Sequence, residues 1–356
     1  MSRRRFLTTT AAAALTAPAF ATQQATPRSR LGIDINSYGT RFGGRARSDK
    51  FPAFKSALDV LDHCRELGAG GLQIGVRGWQ SDFAGKVRAK REAHGLYIEG
   101  QIGLPRTEAD VTRFESDLRA AKEAGADICR TVCLGGRRYE TFETAAAWDE
   151  FCKQSWTSLT LAEPVVRRVG SRLALENHKD WRVPEMLDLL KRLGSERVGV
   201  NLDFGNNLAL LEHPDDVIAA LAPLAFTTHV KDMGVMETAD GFLLSEVPLG
   251  QGITNLPRAF ELCRRANTAI RFNLEMITRD PLRVPCLGAK YWATLGSMPA
   301  RNLATTLALV KASPPKSPLP QMTGRSDEEK LAFEEENVRK SFAFAREKLG
   351  MGWNDE

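Results

Sequence analysis

Short apolar runs and amphipathic stretches alternate along most of this chain. The runs at 31–36, 71–76, 96–102, 127–133, 172–177, 197–203, 225–231 and 269–276 have strand length and period, and predict eight strands. Between them, apolar residues recur at helical spacing over 52–67, 80–93, 107–124, 144–168, 183–193, 214–222 and 255–266. Several of these stretches stop at a glycine, as at Gly68, Gly125 and Gly194, where a left-handed residue ends a helix. Strands alternating with helices imply βαβ units and a parallel sheet. A doubly wound open sheet is one solution. The count of eight, with no glycine fingerprint after the first strand Leu31-Gly-Ile-Asp-Ile-Asn36, favours a closed α/β architecture, the (β/α)8 TIM barrel.

Two segments interrupt the rhythm. Met233 to Gly252 carries Thr238-Ala-Asp-Gly241 between extended runs and reads as a hairpin rising above the barrel mouth. After the eighth strand, Thr278 to Pro299 is punctuated by Pro and Gly and reads as a loop, followed by a helix at 301–311 that closes the barrel. Residues 313–326, opening Ser-Pro-Pro-Lys-Ser-Pro-Leu-Pro, form a stiff linker to a charged helix from Asp327 to Leu349. That helix packs on the barrel or on another subunit, which leaves a homo-oligomer open. The catalytic domain thus spans 31–312, with a C-terminal helical extension over 313–356.

Composition changes little of this picture. With 43% hydrophobic and 26% charged residues, the chain of 356 residues reads as soluble and globular, without stable membrane insertion. Its net charge of +5 includes Arg3, Arg4 and Arg5, which fall in residues 1–21, leaving +2 for the rest. That balance argues against a nucleic-acid partner. Residues 1–21 combine the arginines, an apolar run to Phe20 and a small-x-small Ala19-Phe20-Ala21, the pattern of a twin-arginine export signal, followed by a linker at 22–30. An extracytoplasmic destination, such as the periplasm, is the expectation. The six cysteines show no C-x-x-C spacing, and no disulfide is assigned.

The chemistry concentrates where four successive strands end. Alternation within Val198-Gly-Val-Asn-Leu-Asp203 turns Val198, Val200 and Leu202 toward the helices and Gly199, Asn201 and Asp203 into the lumen. The same rule turns Arg172, Ala174, Glu176 and His178, then Thr227, His229 and Lys231, then Arg271, Asn273 and Glu275 inward. Glu176, Asp203, His229 and Glu275 therefore meet at the carboxyl end of the barrel. Three carboxylates converging without a cation would repel one another, and one imidazole with three carboxylates suits a single Mn2+, Co2+, Mg2+, Fe2+ or Zn2+ ion.

These segments resemble the xylose-isomerase-like superfamily of sugar (phosphate) isomerases and epimerases, related to the family 2 AP endonucleases. The resemblance rests on the Glu176, Asp203, His229, Glu275 quartet and on the Pro248-Leu-Gly-Gln-Gly252 turn. It implies a carbohydrate substrate, a divalent metal held by the quartet, and Glu176 and Glu275 as acid/base groups that move a proton next to a carbonyl. Two positions depart from the ketose 3-epimerases in that family: a substrate-binding His is Asn206 here and an Arg is Val235. His178, Lys231, Glu99, Gln101 and Arg182 are the remaining candidates to orient a substrate. Isomerisation or epimerisation leads the functional expectation. A lyase on 3-keto-glycosides or a decarboxylase on a keto sugar acid shares the same enediolate. An abasic-site phosphodiesterase would need more histidine ligands than five histidines, three of them badly placed, supply, and a non-catalytic sugar-binding barrel would not need both glutamates.

Overall fold

The computed structural model describes residues 31–351; the export-signal and linker segments at 1–30 lie outside the described residues. Eight short parallel strands form a closed barrel: β1 (Leu31–Asp34), β2 (Gly71–Gly75), β3 (Tyr97–Gln101), β4 (Ile128–Thr131), β5 (Arg172–Glu176), β6 (Val198–Asp203), β7 (Ala225–Val230) and, after two intervening strands, β10 (Arg271–Leu274). Closure comes from β10, which pairs with both β7 and β1. The strands pair in chain order, as short right-handed βα connections require.

Outward-facing Leu173, Leu175, Val200, Leu202, Val230 and Leu274 are buried in one apolar layer against the surrounding helices. That ring comprises α1 (Ala57–Leu67), α2 (Ser81–Ala93), α3 (Val111–Glu123), α5 (Ala145–Val169), α6 (Val183–Leu193), α7 (Pro214–Leu221) and α8 (Leu256–Ala266), with a short α4 (Arg138–Thr141) before α5. The helix starts follow from local chemistry. Ser56 and Asp59 form a capping box on α1, and Gly68 ends it at φ 73°.

The excursion above the mouth is a hairpin, β8 (Asp232–Thr238) and β9 (Gly241–Val247), as its turn residues predict. The following segment is not the structureless loop expected. Its residues Leu282–Val284 form β11, antiparallel to β9. Gly241 is needed there: a Cβ would meet the Val284 carbonyl oxygen at 2.1 Å. This three-stranded sheet packs its own apolar layer, including Val235, Phe242, Leu244, Val284 and Tyr291.

The helix α9 (Ala300–Ala312) does not close the barrel, contrary to the sequence expectation. It buries Val310 in that second layer, because strand pairing has already closed the sheet. The C-terminal helix α10 (Asp327–Lys348) packs on this chain's own barrel. Its Glu334 accepts the backbone N–H of Thr40 at 2.7 Å and of Arg41 at 3.1 Å, just past β1, and its Asn337 donates to Thr278 Oγ1.

Candidate metal centre

Register places the quartet. Glu176 lies opposite Asn201, Asp203 opposite His229, and His229 opposite Asn273, two residues before Glu275. Between Val200 and Asn201 the β6–β7 register slips by one residue. Paired residues of parallel strands share a face, so this slip is what aligns Asp203 with His229 in the lumen.

Asp203, His229 and Glu275 each have one polar atom fixed and another turned to a shared point, whereas both oxygens of Glu176 are engaged. Asp203 Oδ1 accepts the backbone N–H of Gly205 at 2.9 Å and of Asn206 at 2.7 Å, an Asx turn at the strand end. Glu176 Oε1 accepts Asn206 Nδ2 at 2.9 Å, while its Oε2 is paired with the Arg130 guanidinium. Glu275 Oε1 accepts Asn36 Nδ2 at 3.0 Å. His229 Nε2 lies 2.7 Å from Gln73 Oε1. Gln73 Nε2 donates to the Glu99 carboxylate at 3.0 Å, so its oxygen must be the end that faces His229. Nε2 therefore keeps its proton in either charge state, and Nδ1 is the nitrogen that would give up its proton and turn a lone pair to a cation.

The four available atoms lie within 4.8 Å of one another, and all four residues are buried. Asp203 Oδ2, His229 Nδ1 and Glu275 Oε2 have no hydrogen-bond partner. Buried polar atoms are rarely left so, and three aimed at one point fit a divalent cation. A second positive group sits beside them. Lys231 Nζ is 2.5 Å from Glu275 Oε2 and 3.1 Å from Asp203 Oδ2, ion pairs that lack directed hydrogen-bond geometry.

The electrostatics follow from burial and neighbours. Burial raises Asp203, whose carboxyl is pushed up to about 6 despite Lys231, with Glu176 and Glu275 adding to the rise. Burial acts the same way on Glu176, yet Arg130 and then His229 hold it well below the usual carboxylate range. Burial would lower His229, but the surrounding carboxylates, Glu275 first, raise it well above its ordinary value.

A family model described as xylose isomerase-like TIM barrel matches residues 61–291. The chain belongs to this family. The 3-oxo-isoapionate decarboxylase of Pectobacterium atrosepticum is 26% identical to this chain over 230 residues, covering 63% of this chain and 77% of that protein. Two solved structures share the fold. A Xylose isomerase-like TIM barrel protein from Mycobacterium smegmatis in complex with magnesium has TM-score 0.52 at 18% identity, over 79% of this chain and 98% of its own. The 3-keto-D-glucoside 4-epimerase YcjR of E. coli has TM-score 0.51 at 16% identity, over 80% and 100%.

The other candidates fall in different places within this xylose isomerase-like barrel. Glu99 lies deep in the lumen, accepting from Gln73, Thr227 Oγ1 at 2.8 Å and Asn273 Nδ2 at 3.0 Å and facing Arg271, where it positions the residues that hold His229. Gln101 bonds Asp34 and Gln73 Oε1. Arg182 pairs with Glu185 at the start of α6 and reaches Ser297, away from the quartet. His178 follows the end of β5, so strict alternation no longer governs it. Burial brings its imidazole down to about 4, and Nδ1 donates to the Leu134 carbonyl at 2.9 Å.

Lys231 does join the quartet, and its neighbour Asp232 is not its partner. Asp232 instead accepts four backbone N–H groups, from Met233, Gly250, Gly252 and Thr254, tying the Pro248–Gly252 turn to the end of β7. A Cβ at Gly252 would meet Asp232 Oδ1 at 2.2 Å. Asn206 bridges Glu176 and the lysines, whereas Val235 is buried in the hairpin's apolar layer.

Sequence reasoning missed six site residues, Gln73 beside His229 among them. Asp34 Oδ2 is 3.3 Å from His229 Nε2, and Asn36 holds Glu275. Arg130 pairs with Glu176; alternation along 127–133 was the signal that could have found it. Glu246 of β9 lies 3.5 Å from Lys231 Nζ and is paired with Arg279 at 2.7 Å. Lys179, buried with a positive φ of 58°, donates its ammonium to Asn206 Oδ1.

Proposed function

We propose that this chain is a divalent-metal-dependent enzyme that transfers a proton at the carbon next to a carbonyl of a sugar or oxidised sugar, an isomerase or epimerase in outcome. The observation that carries this reading is the convergence of Asp203 Oδ2, His229 Nδ1 and Glu275 Oε2, buried and without directed hydrogen bonds, with Glu176 beside them. These four side chains would hold the ion. When bound, it would supply the Lewis-acid charge that acidifies the hydrogen next to a carbonyl. Three carboxylates and one imidazole leave Mn2+, Co2+, Mg2+, Fe2+ and Zn2+ all open.

The protein's own groups divide the remaining work. Glu275 keeps one oxygen on Asn36 and the other against Lys231, whose charge holds the carboxyl well below its ordinary value against the effect of burial. It would take the proton as its charge contact with Lys231 is displaced. Glu176 is the second acid/base group, tempered by Arg130. Gln73 fixes the imidazole, and the buried lumen excludes water from an enediolate.

A second reading has a specific observation behind it. A carboxylate clamped by arginine is a weak base, and loss of carbon dioxide or of an aglycone from the same enediolate needs less from Glu176. The decarboxylase relative points the same way. The twin-arginine pattern supports an extracytoplasmic carbohydrate over a sugar phosphate.

Metal analysis of the purified protein, then incubation of the Mn2+-loaded enzyme with keto sugars, keto sugar acids and 3-keto-glycosides in deuterated water, tests both. Deuterium gained without loss of a group supports the leading reading. Release of carbon dioxide or aglycone supports the second. A protein that takes up no divalent ion sinks the whole proposal.

A further inference from the structure

Two lysine ammonium groups meet at one amide oxygen beside the quartet. Lys179 Nζ and Lys231 Nζ both donate to Asn206 Oδ1, the latter at 3.2 Å. The amide cannot be turned round, because Asn206 Nδ2 donates to Glu176 Oε1 at 2.9 Å. Both lysines are buried, at 3% and 2% exposure.

Their surroundings differ. Lys231 is compensated by Asp203, Glu275 and Glu246. Lys179 makes no ion pair among the described residues, and Asn206 Oδ1 is the one acceptor it reaches. Burial first, and then the Lys231 charge, bring its ammonium down to about 8. A buried cation using one of its three donors is costly unless something else binds it.

The backbone carries a second sign. Lys179 is one of two non-glycine residues with positive φ among the described residues, at 58°, where glycine would sit without strain. Its carbonyl accepts the backbone N–H of Arg138 at 3.0 Å, so this left-handed turn is part of the packed fold. Strained residues kept at sites are candidates for function.

Charge balance indicates the ligand. Around the quartet stand the carboxylates of Asp34, Glu176, Asp203, Glu275 and Glu246, and the cations Arg130, Lys179, Lys231 and Arg279. With His229 neutral, the form that can hold a cation, that set of groups carries one negative charge in excess. A divalent ion in the quartet reverses it to one positive charge, which a monoanion would match.

We propose that Lys179, paired with Lys231 across Asn206, seats a carboxylate of the substrate, so that the enzyme acts on keto sugar acids. This rests on the metal-dependent reading above and names its substrate class. Contacts from two ammonium groups stabilise a carboxylate as such and oppose its departure as carbon dioxide. The seated acid group is therefore a handle that stays on the product, and the proton transfer takes place at a neighbouring carbon.

The test is calorimetric titration of the full-length, Mn2+-loaded protein with 2-keto-D-gluconate and with D-fructose, which differ in carrying a carboxylate or a hydroxymethyl group. The parent should bind the acid at least tenfold more tightly. Lys179→Met and Lys179→Gly should each collapse that ratio toward one, while Lys179→Gly melts at a higher temperature than Lys179→Met because glycine relieves the positive φ. Equal binding of the two ligands by the parent, or an unchanged preference in a folded Lys179→Gly protein that still binds Mn2+, would overturn the proposal. Mn2+ uptake with deuterium exchange on neutral sugars and no preference for acids would sink this inference alone; absence of Mn2+ uptake would sink the reading beneath it.

Discussion

His229 Nε2 and Gln73 Oε1 stand 2.7 Å apart, and the direction of that hydrogen bond is set one residue further back by Glu99. Side chains from β7, β2 and β3 thus act in series to hold the proton on Nε2 and aim Nδ1 at the quartet. Gln73→Leu removes the nearer acceptor and leaves Nε2 only Asp34 Oδ2 at 3.3 Å. Outer partners of this kind are worth about 10–100-fold in metal affinity. Titration with Mn2+ should show a loss in that range with an unchanged far-UV spectrum; unchanged affinity would mean that packing alone orients the ring.

Arg130 and Glu176 form a buried ion pair in the lumen. Arg130→Met leaves a buried carboxylate among others of like charge, and breaking such a pair costs about 3–5 kcal/mol. A divalent ion would restore part of the missing charge. Melting in excess chelator should therefore drop further than melting in Mn2+, and equal drops would argue against an ion at Glu176.

Glu275→Gln keeps the shape of the side chain and the contact with Asn36 but removes the base. General-base groups contribute about 100- to 10,000-fold. Substrate hydrogen exchange in deuterated water should fall by at least a hundredfold. A variant that exchanges as fast as the parent would transfer the base role to Glu176.

Glu335 ties α10 to Arg41 at 3.3 Å and to His63 at 3.4 Å. Burial alone would raise its carboxyl, but His63 and then Arg339 and Arg41 hold it down to about 2. A depressed carboxylate contributes stability that is complete above its unfolded value and lost as pH falls. The loss should run from about pH 4.5 to about pH 2 and, allowing for solvent screening, reach about 1–2 kcal/mol. Glu335→Gln should flatten that part of the acid-denaturation curve; an identical slope in both proteins would remove Glu335 from the account.

Much of this protein was legible from neighbours in sequence. Val198 to Asp203 alternates cleanly, so strand, facing and the lumen position of Asp203 all followed from a period of two. Thr238 to Gly241 announced its hairpin for the same local reason. The short run Leu282–Val284 did not, because three residues carry no period and pair only when β9 is already beside them.

By itself, the sequence determined the eight strand–helix units, the hairpin and the four ligand-type side chains at successive strand ends, since each depends on periodicity within a few residues. Tertiary structure alone decided that Arg130 would face Glu176, that Glu246 would reach Lys231 from a hairpin and that Gln73 would orient His229. It also decided that Lys179 would turn through a left-handed residue onto Asn206. Those partners are separated by 15 to 156 positions in the chain, and barrel closure and strand register, not local pattern, bring them within a few ångströms.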